Sequence, residues 1–327
     1  MLPRREILPG YNIKERSADM KSFLQKHIKT IGIIVMMLAG LSLLVYPLVA
    51  STWNSYVQST LISDYSDSVD DAISEGTLDV EAEIAKAQQY NQDLLPSVLP
   101  DSFALAEANG ADDYYTSCLN ATGDGTMGYI EIPKISVSLP IFHTTTEEIL
   151  QKGVGHLQGS SLPVGGENTH SVLSAHRGLP NSTLFTDLDK LEIGDDFFIV
   201  IMGQYFAYEV ESIDVVEPDD TSLLDVQEGR DLCTLITCTP YGVNTQRLMV
   251  TGHRVDYTPE LKEAAEEDSL GPAASLHTNY LLWVIVGLAI VALFVLLMIL
   301  WDKRKSKAYR SHLSDNKRGK GFERKNK

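Results

Sequence analysis

The stretch Asp231-Leu-Cys-Thr-Leu-Ile-Thr-Cys238-Thr-Pro240-Tyr-Gly-Val-Asn-Thr-Gln-Arg247-Leu-Met-Val250 carries most of the reading. A β-branched run ends at Cys238, a Pro/Gly/Asn turn segment follows, and a second β-run begins near Thr245. Paired as a hairpin, the two runs return Arg247 to the side of Cys238. A guanidinium beside a thiol is expected to favour the thiolate and lower the cysteine pKa. It also presents a fixed donor to an oxyanion formed when sulfur attacks a carbonyl. Cys233 is an odd number of positions from Cys238, so on one strand the two face opposite ways.

Working outward, the texture from Thr126 is short β-rich runs: Tyr129–Ile132, Val137–Phe142, Val172–His176, Phe197–Met202, Tyr205–Val216, Thr234–Cys238 and Arg247–Val255. Turn-formers such as Gly165-Gly166, Gly194-Asp195 and Pro240-Tyr241-Gly242 separate them, and short helices fit Thr146–Lys152 and Leu184–Leu191. Many short strands with few helical signals predict a closed barrel or sandwich. Proton transfer to a leaving amine needs a third group, and His176, closing the run Ser171-Val-Leu-Ser-Ala-His176, fits that role. The competing readings are ordinary ones: a lone Cys at a strand end is usually a small buried hydrophobe. His143, His156, His170 and His176 are not in a metal-ligand spacing, and Cys118 and Cys233 have no CxxC partner. A Cys118–Cys233 disulfide stays open at this point.

Two apolar runs organise the rest. Residues 30–50 and 279–301 hold no charged residue, and each is long enough to cross a hydrocarbon core as a helix. Trp53 flanks the first, and Tyr280, Trp283 and Trp301 lie near the ends of the second, where amphipathic rings favour the interface. Of 27 Lys/Arg and 44 Asp/Glu, residues 1–29 hold seven and three, and residues 302–327 hold eleven and three. The intervening stretch 51–278 is left with nine basic and 38 acidic residues. Basic flanks stay inside, so both ends read as cytoplasmic and the acidic middle as external. That distribution, and a net charge of -17, disfavour a nucleic-acid partner, and the basic tail reads as a stop-transfer flank. A cleaved signal peptide, with Leu48 and Ala50 as a small-residue site, is the competing reading of the first run.

Residues 54–95 carry apolar positions at three- and four-residue steps (Val57, Leu61, Ile62, Ile73, Ile84, Ala87, Tyr90, Leu94) on an acidic background, so they read as a helical stalk or hairpin ended by Pro96 and Pro100. The resulting partition is 1–29 leader, 30–50 membrane helix, 51–95 external helical segment, 96–125 lid loop, 126–257 catalytic β-barrel, 258–278 polar acidic linker, 279–301 membrane helix and 302–327 tail. The lid and catalytic labels rest on the resemblance that follows.

Thr234-Leu-Ile-Thr-Cys238-Thr-Pro240 followed by Arg247 resembles the sortase signature, Thr-Leu-x-Thr-Cys with a downstream Arg. Ser174-Ala-His176-Arg-Gly178 resembles the histidine motif of that family, and Gly153-Val-Gly-His156-Leu-Gln-Gly159 through Pro163 the segment upstream of it. Two flanking spans, Ser-Ala-His-Arg-Gly-Leu-Pro180 and Thr-Pro-Tyr-Gly-Val-Asn-Thr resemble the pilin-polymerising class, class C. The resemblance implies an eight-stranded β-barrel and a cysteine transpeptidase with Cys238 as nucleophile, His176 as general acid/base and Arg247 as stabiliser. It implies cleavage of an LPXTG-like sorting signal between Thr and Gly, a thioacyl intermediate, and transfer to a lysine of another pilin subunit. The old amide supplies the energy of the new one, so the resemblance implies neither nucleotide nor other cofactor.

Class C members also carry a lid with an Asp-Pro-aromatic motif. The matching place here reads Pro100-Asp101-Ser102-Phe103, which implies that Asp101 pairs with Arg247 and Phe103 covers the sulfur. Serine in place of proline leaves the loop less rigid. Gln246 stands where pilin-type members often show His. Two rival functions fit the same sequence: a housekeeping sortase that anchors surface proteins to the cell wall, and a non-catalytic membrane scaffold on a sortase-like barrel. Detection of residues 1–29 on the mature chain is the outcome expected of an uncleaved anchor, and their absence would favour the signal-peptide reading.

Overall fold

The computed structural model describes residues 13–94, 101, 103, 112–269, 282, 284–297, 300, 301 and 304, with backbone alone over 13–31. Pro96, Pro100, Ser102, Tyr280, Trp283 and most of the two basic flanks lie outside the described residues. The chain divides into two compact units, Met1–Tyr46 with Leu282–Lys327, and Pro47–Leu281.

In the first unit, the described residues belong to helix. Helix α1 (Ile13–Ser74) runs through both the first apolar run and much of the segment read as a separate stalk. Its stretch from Gly32 is long and apolar enough to cross a membrane. The second apolar run contributes a shorter described helix, Val284–Leu297.

The second unit is built on a closed barrel of eight strands. These are β1 (Thr126–Ile132), β2 (Val137–His143), β3 (Val154–His156), β4 (Thr169–Ser174), β5 (Asp196–Ile201), β6 (Gln204–Val216), β7 (Asp231–Thr239) and β8 (Gln246–Val255). Around the barrel the order is β1-β2-β3-β4-β7-β8-β6-β5. Two of its pairings, β2 with β3 and β4 with β7, are parallel. Alternation decides which side chains fill it. On β7, Cys233 and Leu235 point into the main core with Leu173, Phe197, Tyr208 and Val250. Gly252 is required there: a Cβ would lie 2.6 Å from the ring of Phe197, which stacks on Tyr208.

The predicted strands on β1, β2, β5, β6, β7 and β8 agree with the structure to within a few residues. Four local expectations are corrected. The strand read as Val172–His176 ends at Ser174, leaving His176 in the following loop. The short β3 carries too few residues for a periodic signal and was not expected as a strand. The helix read at Leu184–Leu191 is only a 3-10 turn at Leu188–Lys190, because Leu184 takes a φ of 39° and Phe185 N–H bonds to the His176 carbonyl instead. The segment read as polar linker starts with helix, called α5 below. Cys118, Cys233 and Cys238 are free thiols.

Four further helices frame the barrel: α2 (Val80–Asp93), α3 (Asp113–Ser117), α4 (Glu147–Lys152) and α5 (Pro259–Glu267). Asp79 caps α2 through the Ala82 N–H, and Thr258 caps α5 through the Leu261 N–H. Tyr65 and Val69 of α1 and Ile84, Ala87 and Tyr90 of α2 bury against the barrel. The Tyr65 hydroxyl donates to the Met127 carbonyl at 2.8 Å and accepts from the Met202 N–H at 3.0 Å, tying α1 to both β1 and the end of β5. Helix α3 lies within the stretch expected to be lid loop. Its Tyr115 is fully buried, and its hydroxyl sits 2.9 Å from Nδ1 of His156.

His156 and His143 are register neighbours on β3 and β2. Burial holds both rings neutral, pushing His156 down to about 4 and His143 below its ordinary value. A ring whose folded pKa is depressed stabilises the fold above the unfolded value near 6.5 and loses that contribution as pH falls towards 4. For His156 alone the loss is about 3 kcal/mol. Denaturation midpoints are therefore expected to fall steeply between pH 6.5 and 4, and H156Q should flatten that slope while lowering stability at neutral pH.

Candidate active site

The site is a consequence of strand register. On the face of the sheet opposite the main core, Val172 of β4, Ile236 of β7 and Met249 of β8 form a second apolar cluster with Leu157 and Leu224. Ile236 pairs with Met249, so two positions further along β7, Cys238 lies opposite Arg247 on the same face. The parallel β4–β7 ladder pairs Ser174 with Ile236, and the Ala175 N–H continues it to the Ile236 carbonyl at 3.2 Å. Extending that register by two residues sets His176 level with Cys238. The loop after β4 thus sets the imidazole beside the thiol of β7 and the guanidinium of β8, above an apolar floor.

Several bonds hold this row. The Thr237 hydroxyl donates to the Ala175 carbonyl at 2.8 Å, locking the end of β4 to β7. Arg177 donates to the Thr239 hydroxyl at 3.2 Å and pairs with Asp189. The loop beyond His176 needs Gly178, whose φ is +79° and whose added Cβ would meet the Tyr241 ring at 3.2 Å. Arg247 Nη1 also donates to the Gln246 carbonyl at 3.2 Å.

Asp101 and Phe103 reach the same row. Asp101 accepts from Arg247 Nε at 2.9 Å and from Nη2 at 2.6 Å, a bidentate pair that is nearly buried. The Phe103 ring lies 5.6 Å from the His176 ring centroid and 5.0 Å below the Arg247 guanidinium carbon. It packs against the apolar floor together with Val216. The five residues singled out by sequence are thereby gathered at one place. Sequence reading missed Glu147, whose carboxylate oxygens lie 3.2 and 3.3 Å from His176 Nε2. Nothing in the spacing links two residues on separate elements, so no signal could have found that contact. Among the described residues, no group of three or more His, Cys, Asp or Glu is arranged to hold a metal ion.

One electrostatic expectation is corrected. The Cys238 thiol is pushed above its ordinary value, because burial outweighs the pull of Arg247 and the Asp101 carboxylate adds to the rise. With Asp101 seated on Arg247, the cation that would stabilise a thiolate is already engaged by a carboxylate.

A family model described as Sortase domain matches residues 130–255. Among curated proteins, Sortase D of Bacillus subtilis (strain 168) is 37% identical over 131 residues, covering 39% of this chain and 63% of that protein. Sortase A of Bacillus anthracis is 30% identical over 129 residues, covering 39% and 60%. The chain therefore spans less than two thirds of the length of these curated relatives. Among solved structures, sortase C-1 from Actinomyces oris is 47% identical with a TM-score of 0.51, covering 54% of this chain and 98% of that one. Sortase C of Streptococcus pneumoniae, a structure described as bearing on catalysis and pilin substrate specificity, is 41% identical with a TM-score of 0.55, covering 61% and 98%.

Removing the Asp101 charge should free Arg247 to act on the thiol. D101N is expected to shift the alkaline limb of iodoacetamide labelling of Cys238 to lower pH, and D101A/F103A to raise labelling at neutral pH. Profiles that do not move would show that Asp101 and Phe103 do not restrain the thiol.

Proposed function

This chain belongs to the sortase family, and on that premise we propose that it is a membrane-anchored cysteine transpeptidase of the pilin-polymerising class. The observation that carries the reading is the placing of His176, just past the end of β4, beside the Cys238–Arg247 pair of β7 and β8. Support for the pilin class comes from the likeness to sortase C structures and from the Asp101–Arg247 and Phe103–His176 contacts over that row.

In the proposed cycle, the segment bearing Asp101 and Phe103 leaves and uncovers the Arg247 cation. The Cys238 thiolate attacks the Thr carbonyl of an LPXTG-like sorting signal, forming a C–S bond. Arg247 faces the oxyanion of the tetrahedral intermediate. The Thr–Gly C–N bond breaks as His176 delivers a proton to the leaving amine. The thioacyl group on Cys238 is then attacked by a lysine amine of a second pilin subunit. A new C–N bond forms, the C–S bond breaks, and the product is an isopeptide. One amide is exchanged for another, which matches a chemistry of thiol, imidazole and guanidinium.

The anchoring follows from the two apolar runs, of which the first lies within α1 and the second includes Val284–Leu297. The Lys/Arg excess of both flanks supports an orientation with both ends in the cytoplasm and the barrel outside. The partners are then pilins or surface proteins bearing the sorting signal.

With a fluorogenic LPXTG-type peptide, C238A should abolish turnover and H176A should reduce it at least as severely as R247A, for which about a hundredfold loss of kcat is expected. A C238A chain that still joins the peptide to an amine would overturn the reading.

A further inference from the structure

The carboxylate of Glu147 touches the imidazole, yet the cycle above gives it no task. Glu147 is the first residue of α4, and its position is built rather than incidental. Leu150 of the same helix is buried, the Lys152 carbonyl accepts from Gln58 Nε2 of α1 at 3.1 Å, and Glu147 itself accepts from Gln151 Nε2 at 2.8 Å. The other carboxylates at the row are paired, Asp101 with Arg247 and Asp189 with Arg177. No lysine or arginine pairs with Glu147 among the described residues. Its side chain is 56% exposed against 18% for His176, so it meets the ring on one side and solvent on the other.

Nε2 donates to this carboxylate while the ring carries a proton there. Once that proton has gone to the leaving amine, Nε2 and the carboxylate face each other as two acceptors with nothing between them. A primary ammonium has three N–H donors and satisfies both at once. We propose that Glu147 receives the ammonium of the acceptor lysine and holds it against His176, an inference that rests on the transpeptidase reading. The ammonium gives one proton to Nε2, and the nitrogen lone pair then forms the C–N bond to the thioacyl carbon. The C–S pair returns to sulfur. Of the two protons lost by the ammonium, one ends on the Cys238 sulfur and the other leaves His176 for solvent. A cationic acceptor also suits an external segment with 38 acidic and nine basic residues.

The test uses the full chain in detergent, an LPXTG-type donor peptide, and two competing acceptors: Nα-acetyl-lysine methylamide, charged at neutral pH, and hydroxylamine, neutral at the same pH. E147Q keeps an oxygen for Nε2 but removes the charge. The ratio of lysine product to hydroxamate is expected to fall about fivefold relative to the unsubstituted chain, an effect that shrinks as salt rises. An unchanged ratio, with the thioacyl adduct still detected on Cys238, overturns this inference alone. An unsubstituted chain that forms no adduct on Cys238 overturns the transpeptidase reading and this inference with it.

Discussion

The site depends on one constraint, the register in which β4, β7 and β8 lie side by side. Because strand side chains alternate, a one-residue slip of β7 would send Cys238 towards the core and bring Cys233 or Leu235 out. The apolar floor resists such a slip, since Ile236 would leave its place between Val172 and Met249. The Thr237–Ala175 bond adds a polar lock beside the sulfur, where β4 has already ended. The parallel β4–β7 pairing matters equally: it brings the loop after β4, and therefore His176, to the same end of β7 as Cys238.

Charge at the site is organised around one guanidinium with two claimants. Arg247 pulls the thiol down, but Asp101 occupies its donor edge in bidentate fashion and burial raises the cost of a thiolate. Phe103 lies under the same guanidinium and against the His176 ring, so one short segment contacts both partners of the sulfur.

The helices outside the barrel contribute more than support. Gln58 of α1 donates to both the Lys152 carbonyl and the Ser182 hydroxyl, and Asn54 donates to the Asn181 carbonyl. These bonds fasten α4 and the loop that begins at His176, the two segments that position the imidazole and its carboxylate neighbour. Tyr115, His143 and His156 form a buried polar knot on the β2–β3 side, and each ring depends on staying neutral there.

Local pattern determined a good deal of this protein by itself. β-rich runs and turn residues marked six of the strands to within a few residues, the turn at Pro240–Asn244 brought Arg247 back to Cys238, and the lack of charge marked the apolar runs. These features are legible because each is set by neighbours a few positions apart. Tertiary structure alone decided the rest. A three-residue strand such as β3 has no periodicity to read, and the fate of Leu184–Leu191 was settled by a carbonyl eight or more residues upstream. The thiol's raised pKa reflects burial, which no sequence displays. The contact of His176 with Glu147 joins residues 29 positions apart, and only closure of the barrel brings such groups together, whereas the pairing of Arg247 with Asp101, 146 positions apart, was implied by the family resemblance and by no local pattern.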